Sequence, residues 1–150
     1  MRKESVSFDD EPLNDEILRG AIAAVPQDAG AHHALGLTLV RLKRLDEALS
    51  ELRRAAERAP EQARYAYVYA VALHSAGRSS EAMTALKDSL ARHPEDRDTL
   101  LALISFSRDA GDPQTALEYA EQLARIAPTD QTIAGLIETL RQQIKKPEPR

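Results

Sequence analysis

The 150-residue chain has no cysteine and no tryptophan. Without thiols there are no disulfides, no thiolate metal sites, no CxxCH haem attachment and no cysteine nucleophile. Aromatic residues are scarce too, 4% against 43% hydrophobic, so alanine and leucine carry the apolar content, as in closely packed helices. No apolar run approaches the roughly 18 residues a membrane span needs. The start of the chain, MRKESVSFDDE, lacks a signal-peptide core. These absences lead us to expect a cytoplasmic protein with no membrane insertion. An excess of positive charge is missing as well: the formal net charge is −4, which disfavours nucleic acid as a partner. No two-residue alternation marks a strand, and the expected fold class is all-α.

What the chain does have is a period. Pro26, Pro60, Pro94 and Pro128 stand 34 residues apart, each closing an Ala/Leu-rich run: GAIAAVP, RRAAERAP, KDSLARHP and EQLARIAP. A fixed period of this size marks stacked supersecondary units. Turn residues keep the same phase. Gly77 and Gly111 fit the position just past a helix end. Asp46, Ser79 or Ser80, and Asp112 are the expected caps of the helices that follow, and Pro113 suits a first turn. The expected layout is a single domain, 12–146, between a loose tail at 1–11 and a tail at 147–150. Inside it lie a half-repeat helix (12–26), three units (27–60, 61–94 and 95–128) and a capping helix (129–146). Leu13, Ile17, Leu18, Ala21 and Ile22 give the half-repeat its helical spacing.

Aligning the units on Ala29, Ala63 and Arg97 shows which positions interlock. The fourth positions are His32, Ala66 and Leu100, and the seventh Leu35, Tyr69 and Leu103. The eighth are Gly36, Ala70 and Ile104; the eleventh Leu39, Leu73 and Ser107. In the second helix Ala48, Ala82 and Ala116 recur, followed by Leu52, Leu86 and Ala120, and then by Ala55, Ser89 and Leu123. This pattern resembles the tetratricopeptide repeat. The resemblance covers about residues 12 to 145 and implies an α-solenoid of helix-turn-helix units. The third unit departs most, with Ile104 in a small position and Ser107 and Ala120 in large ones. Phe106 and Tyr119 are the expected sources of the missing volume there. Glu138 and Arg141 give the last helix the polar face of a cap.

The resemblance also implies a concave groove lined by the first helix of each unit. The residues carried onto it as a peptide-binding surface are His33, Leu37 and Arg41, then Arg64, Tyr67, Val71 and His74, then Leu101, Ser105 and Arg108; Ala102 and Leu136 fall on groove positions too. The run YAYVYAVAL is apolar on several faces, so Tyr67 and Val71 either contact a partner or are covered by the N-terminal segment. Arg41, Arg64 and Arg108, with His33 and His74, make the groove locally basic, and that suits an acidic or amphipathic peptide; a solvated face with scattered charge is the competing reading. Some members of the family clamp a peptide carboxylate with Lys and Asn where this chain has His33 and Leu37, so that clamp is absent. Ser75 beside His74 faces away from it, with no acid to orient the imidazole, so no catalytic role is expected. No metal or other cofactor is expected either. Two alternatives to a peptide-binding scaffold stay open: self-association through the half-repeat or the Val6–Phe8 tail, and a regulatory domain of a larger enzyme or electron-transfer assembly.

Overall fold

The computed structural model describes residues 11–146, with side chains from Asp15 onward. Val6, Phe8, the tail at 147–150 and the side chain of Leu13 lie outside the described residues. Eight helices follow one another: α1 (Glu11–Ala24), α2 (Ala29–Arg41), α3 (Leu45–Arg58), α4 (Ala63–Ser75), α5 (Ser79–Arg92), α6 (Arg97–Asp109), α7 (Pro113–Ile126) and α8 (Gln131–Lys145). No strand occurs among the described residues. The chain divides into two compact units, Met1–Ala72 and Leu73–Arg150.

The helix ends follow the 34-residue period. Three of the helices that open a pair start at an aspartate whose carboxylate accepts from the first-turn amides: Asp28 from Ala31, Asp96 from Thr99, and Asp130 from Thr132 and Ile133. Each such bond satisfies a donor that the helix itself leaves free. The turns inside the pairs pass through the left-handed region at Lys43 (φ 60°), Gly77 (φ 78°) and Gly111 (φ 72°). Glycine adopts that conformation without a Cβ penalty; lysine does not.

Only one of the expected caps of the second helices holds. Asp112 caps α7, accepting from Thr115, with Pro113 in the first turn. Asp46 lies inside the first turn of α3, and the residue before that helix is Arg44, which makes no side-chain cap bond. Ser79 and Ser80 likewise lie inside α5, behind Arg78. Arg44 and Arg78 instead donate to the carboxylates of Glu47 and Glu81, three residues on. A guanidinium has no acceptor to offer a helix amide, so it pairs with the acid at the third helical position.

In the first unit, α2 packs on α3 and α1 packs on α2. Leu35, Leu39 and Ala48 form a buried cluster, covered by Leu18 and Ile22 of α1. Gly36 sits so close to Leu52 that a Cβ there would lie 2.5 Å from Leu52 Cδ2. His32 is buried, with Nδ1 2.6 Å from Glu51 Oε2 and Nε2 2.9 Å from the carbonyl oxygen of Pro26. Both neighbours are acceptors, so the proton shared with Glu51 and the one donated to Pro26 tie the α1–α2 turn to α3.

In the second unit, α6 packs on α7, α7 on α8 and α5 on α6. Leu100, Ile104, Ala116, Ala120, Leu123, Ile133 and Leu140 form the core, with Tyr119, Leu136 and Ile137 against it. Burying each leucine contributes about 2 kcal/mol. The missing volume at Ala120 is therefore met by Ile104 in the same cluster, with Tyr119 at its edge. Phe106 is buried as well, its ring stacked on His74.

Candidate functional site

The groove residues expected from the register are accessible, with one exception. In the first unit Leu37 and Val40 are each 39% exposed and Val71 is 37% exposed. Arg41 and Arg64 are exposed, and Tyr67 is half-buried. Arg41 Nη2 lies 3.4 Å from the Thr38 hydroxyl. In the second unit Leu101 is 45% exposed, and Ser105 and Arg108 are exposed. Ala102 is the exception: it is 7% exposed and belongs to the core.

The two histidines are engaged in different ways, and His33 does not add positive charge as the sequence suggested. His33 is half-buried and stacks on Tyr65, with centroids 4.4 Å apart and planes at 27°. Burial, and then the charge of Arg64, hold its pKa below the ordinary histidine value. Each disfavours the cation, so the ring is neutral at pH 7. His74 is fully engaged: its ring lies 4.0 Å from that of Phe106 at 9°. Nδ1 lies 3.1 Å from Ser79 Oγ, and Nε2 lies 3.2 Å from Asp109 Oδ2. An acid does orient this imidazole, contrary to the sequence expectation. The hydroxyl is Ser79, five residues along the chain, rather than the adjacent Ser75. With Nε2–H donating to the carboxylate and the hydroxyl donating to Nδ1, both ring nitrogens are satisfied. The row ties the ends of α4, α5 and α6 together.

A cleft of about 1030 Å³ opens in the second unit, lined by α6, the first turn of α7 and α8. It collects Leu101, Ser105, Arg108 and Leu136, four of the residues the register assigned to the groove. It also takes in Ile144 and Lys146 from the end of α8, which the register did not single out. The sequence signal for those two was the capping helix itself, whose last turn was treated as scaffold. Among the described residues no three metal-ligating side chains converge, and no helix is long and apolar enough to cross a membrane.

The tetratricopeptide-repeat family model matches residues 16–62, 33–96 and 75–131 in three overlapping stretches. The chain belongs to the tetratricopeptide-repeat family. Solved structures agree on the fold. A crystal structure of MamA superposes with a TM-score of 0.76 at 18% identity, covering 91% of this chain and 80% of that one. The Pseudomonas aeruginosa pilF protein gives 0.72 at 24% identity over 91% and 63% of the two chains. A thermophilic tetratricopeptide-repeat protein of Thermus thermophilus, TTC0263, gives 0.67 at 22% over 85% and 71%. No curated protein sequence matches. At these identities the likeness carries the all-α solenoid fold and, with the family, a general role as a protein–protein interaction scaffold. Repeats of this family are interaction modules rather than catalytic ones.

Proposed function

We propose that this tetratricopeptide-repeat chain holds an acidic, amphipathic peptide on the outward faces of the first helices of its pairs. The observation that carries this reading is the combination of exposed apolar residues and arginines at register positions the core does not use. In the first unit Leu37, Val40, Tyr67 and Val71 accompany Arg41 and Arg64. In the second unit Leu101 accompanies Arg108. A peptide with an apolar stripe and flanking carboxylates matches both features, whether extended or helical. The natural partner is a protein segment, and the chain needs no cofactor to bind it. Fluorescence anisotropy with a labelled leucine–glutamate amphipathic peptide tests the reading. Arg41→Glu with Arg64→Glu should weaken binding, while the thermal melt by circular dichroism stays within about 2 °C, as expected for surface substitutions. Undiminished binding by this double variant and by an Arg108→Glu chain would sink it.

A second reading, self-association, has its own observation. Ile17 is 60% exposed and Val25 54% exposed. Ile17, Ala21 and Ala24 lie on one exposed stripe of α1, with Val25 just past its end. An apolar face left exposed among the described residues of a half-repeat favours pairing with a second copy. Light scattering across a concentration series tests it: a dimer that Ile17→Asp dissociates supports pairing through α1, and a monomer at every concentration removes it.

A further inference from the structure

In the 34-residue register α1 stands where α3, α5 and α7 stand later in the chain. It is the second helix of a pair whose first helix is missing among the described residues. Ala21 shares its register position with Ala55, Ser89 and Leu123. Those three are buried, and α2 and α6 pack as first helices on α3 and α7. Ala21 is exposed. Leu18 shows the same deficit: it is half-buried, where Leu52, Leu86 and Ala120 are fully buried. The bare side of α1 is therefore the seat that α2 and α6 fill on α3 and α7. Its two large residues are Ile17 and Val25, both exposed, and Ala21 stands midway between them. Val25 lies just past the helix end, its amide donating to the Ala21 carbonyl at 2.9 Å. Two of the charged residues on α1, Asp15 and Arg19, pair with each other at 2.8 Å.

Residues 1–10 do not fit that seat. The register carried back puts Arg2 at the eighth position, which Gly36, Ala70 and Ile104 hold in buried places. A guanidinium buried there without a partner is unfavourable. Three residues separate α2 from α3, and with a turn of that length seven of these ten are left, against 13 in α2. The other end of the chain does not fit either. α8 is a first helix without a second, but Glu138 and Arg141 stand at its eighth and eleventh positions and are exposed. Stacking α1 of another copy on α8 would bury both charges. We infer that α1 is covered instead by α1 of a second copy, antiparallel and crossing at Ala21, so that Ile17 of each copy lies against Val25 of the other. This rests on the self-association reading above and specifies its element and its symmetry. A two-fold axis makes one patch serve twice and closes the assembly at a dimer. The stripe runs only about 12 Å along the helix. That is short for the roughly 800 Å² per partner of a stable interface, so the dimer is a weak, concentration-dependent one.

The absence of cysteine from the chain makes the test clean, because a single introduced thiol can pair only with its copy. Ala21→Cys in the full chain, oxidised with copper–phenanthroline, should run as a cross-linked dimer on a non-reducing gel. A two-fold axis at residue 21 brings the two sulfurs within disulfide reach. Gly135→Cys, exposed on α8 with open space around it, should stay uncross-linked. Light scattering across a concentration series should show a monomer–dimer equilibrium in the unsubstituted chain, and Ile17→Asp should weaken it about tenfold or more. Ile17 is exposed, so that variant should keep its thermal melt. A dimer that Ile17→Asp leaves intact, with Ala21→Cys uncross-linked, overturns the inference and leaves self-association through another surface. Equal cross-linking of Ala21→Cys and Gly135→Cys reports random collision and also overturns it. So does a monomeric chain that Phe8→Asp converts to a dimer, since its own N-terminal segment then covers α1. A monomer in every variant at every concentration removes both the inference and the reading on which it rests.

Discussion

Gly36 and Leu52 allow a sharp test of how the repeat keeps its volume. A methyl group added at Gly36 would lie 2.5 Å from Leu52 Cδ2, 2.6 Å from its Cγ and 3.3 Å from its backbone nitrogen. Leu52 is fully buried, so its side chain has no open space to move into. Gly36→Ala therefore sets two effects against each other. Alanine in a helix interior is favoured over glycine by about 1 kcal/mol. Forcing an extra carbon into a filled core costs about 1–3 kcal/mol, and the loss wins here. We expect a net destabilisation of about 1 kcal/mol, which lowers Tm by about 3 °C in a chain of this size.

The same substitution should change sign when Leu52 is alanine. Leu52→Ala alone opens a cavity and costs about 3 kcal/mol. In that background the two closest atoms are gone, so Gly36→Ala should stabilise by about 1 kcal/mol through helix propensity alone. The coupling between the sites is then about 2 kcal/mol, within the range for touching residues. Urea unfolding of the four chains, followed by circular dichroism, measures it. A Gly36→Ala effect of the same sign and size in both backgrounds would refute the argument that these positions share one volume.

Three further outcomes follow from the turns and the buried pair. Lys43→Gly should stabilise by up to about 1 kcal/mol, because Lys43 holds φ 60° where the two later turns have glycine; thermal denaturation reads this as a higher Tm. Asp112→Ala should cost about 1 kcal/mol at neutral pH through the lost cap of α7. The Thr115 hydroxyl and amide lower the Asp112 pKa, so this carboxylate's contribution is present above its ordinary value. The gap between wild type and Asp112→Ala should narrow as pH falls below about 4 and through the depressed value, which a pH series of melts can follow. Glu51→Ala should destabilise by about 3 kcal/mol by leaving the buried His32 Nδ1 without its partner, while His32→Leu with Glu51→Met should cost far less in chemical denaturation.

The sequence carried the fold well because its signals were local and repeated. The prolines, Gly77 and Gly111 placed the turns, and the helix bounds followed within a residue or two. The left-handed conformation of Lys43 escaped notice because lysine is not a turn marker, although it stands 34 residues before Gly77. The same arithmetic would have corrected the caps. Arg44, Arg78 and Asp112 share one register position, and only the last has an acceptor to offer. The pairing of His32 with Glu51 and Pro26 was out of reach, since it joins residues on separate elements that no spacing relates. The reversal from Gly36/Leu52 to Ile104/Ala120 was visible as a departure from the repeat. Sequence alone could not show Phe106 stacked on His74, since the two stand on separate helices.

The argument for the surface is of a different kind, because single exposed apolar residues are ordinary. What separates these from the background is recurrence without structural need. The fifth position of the three units reads His33, Tyr67, Leu101, and the ninth Leu37, Val71, Ser105. Their neighbours at the seventh and eleventh positions, such as Leu35, Leu39 and Leu103, already fill the core. Each unit also carries a cationic or histidine side chain at the twelfth or thirteenth position: Arg41, His74 and Arg108. The middle one is tied to Asp109 and Ser79, so uncommitted charge is left at Arg41 in the first repeat and Arg108 in the third. Core packing does not call for that recurrence, and a partner bearing carboxylates and an apolar stripe is the reading we propose for it.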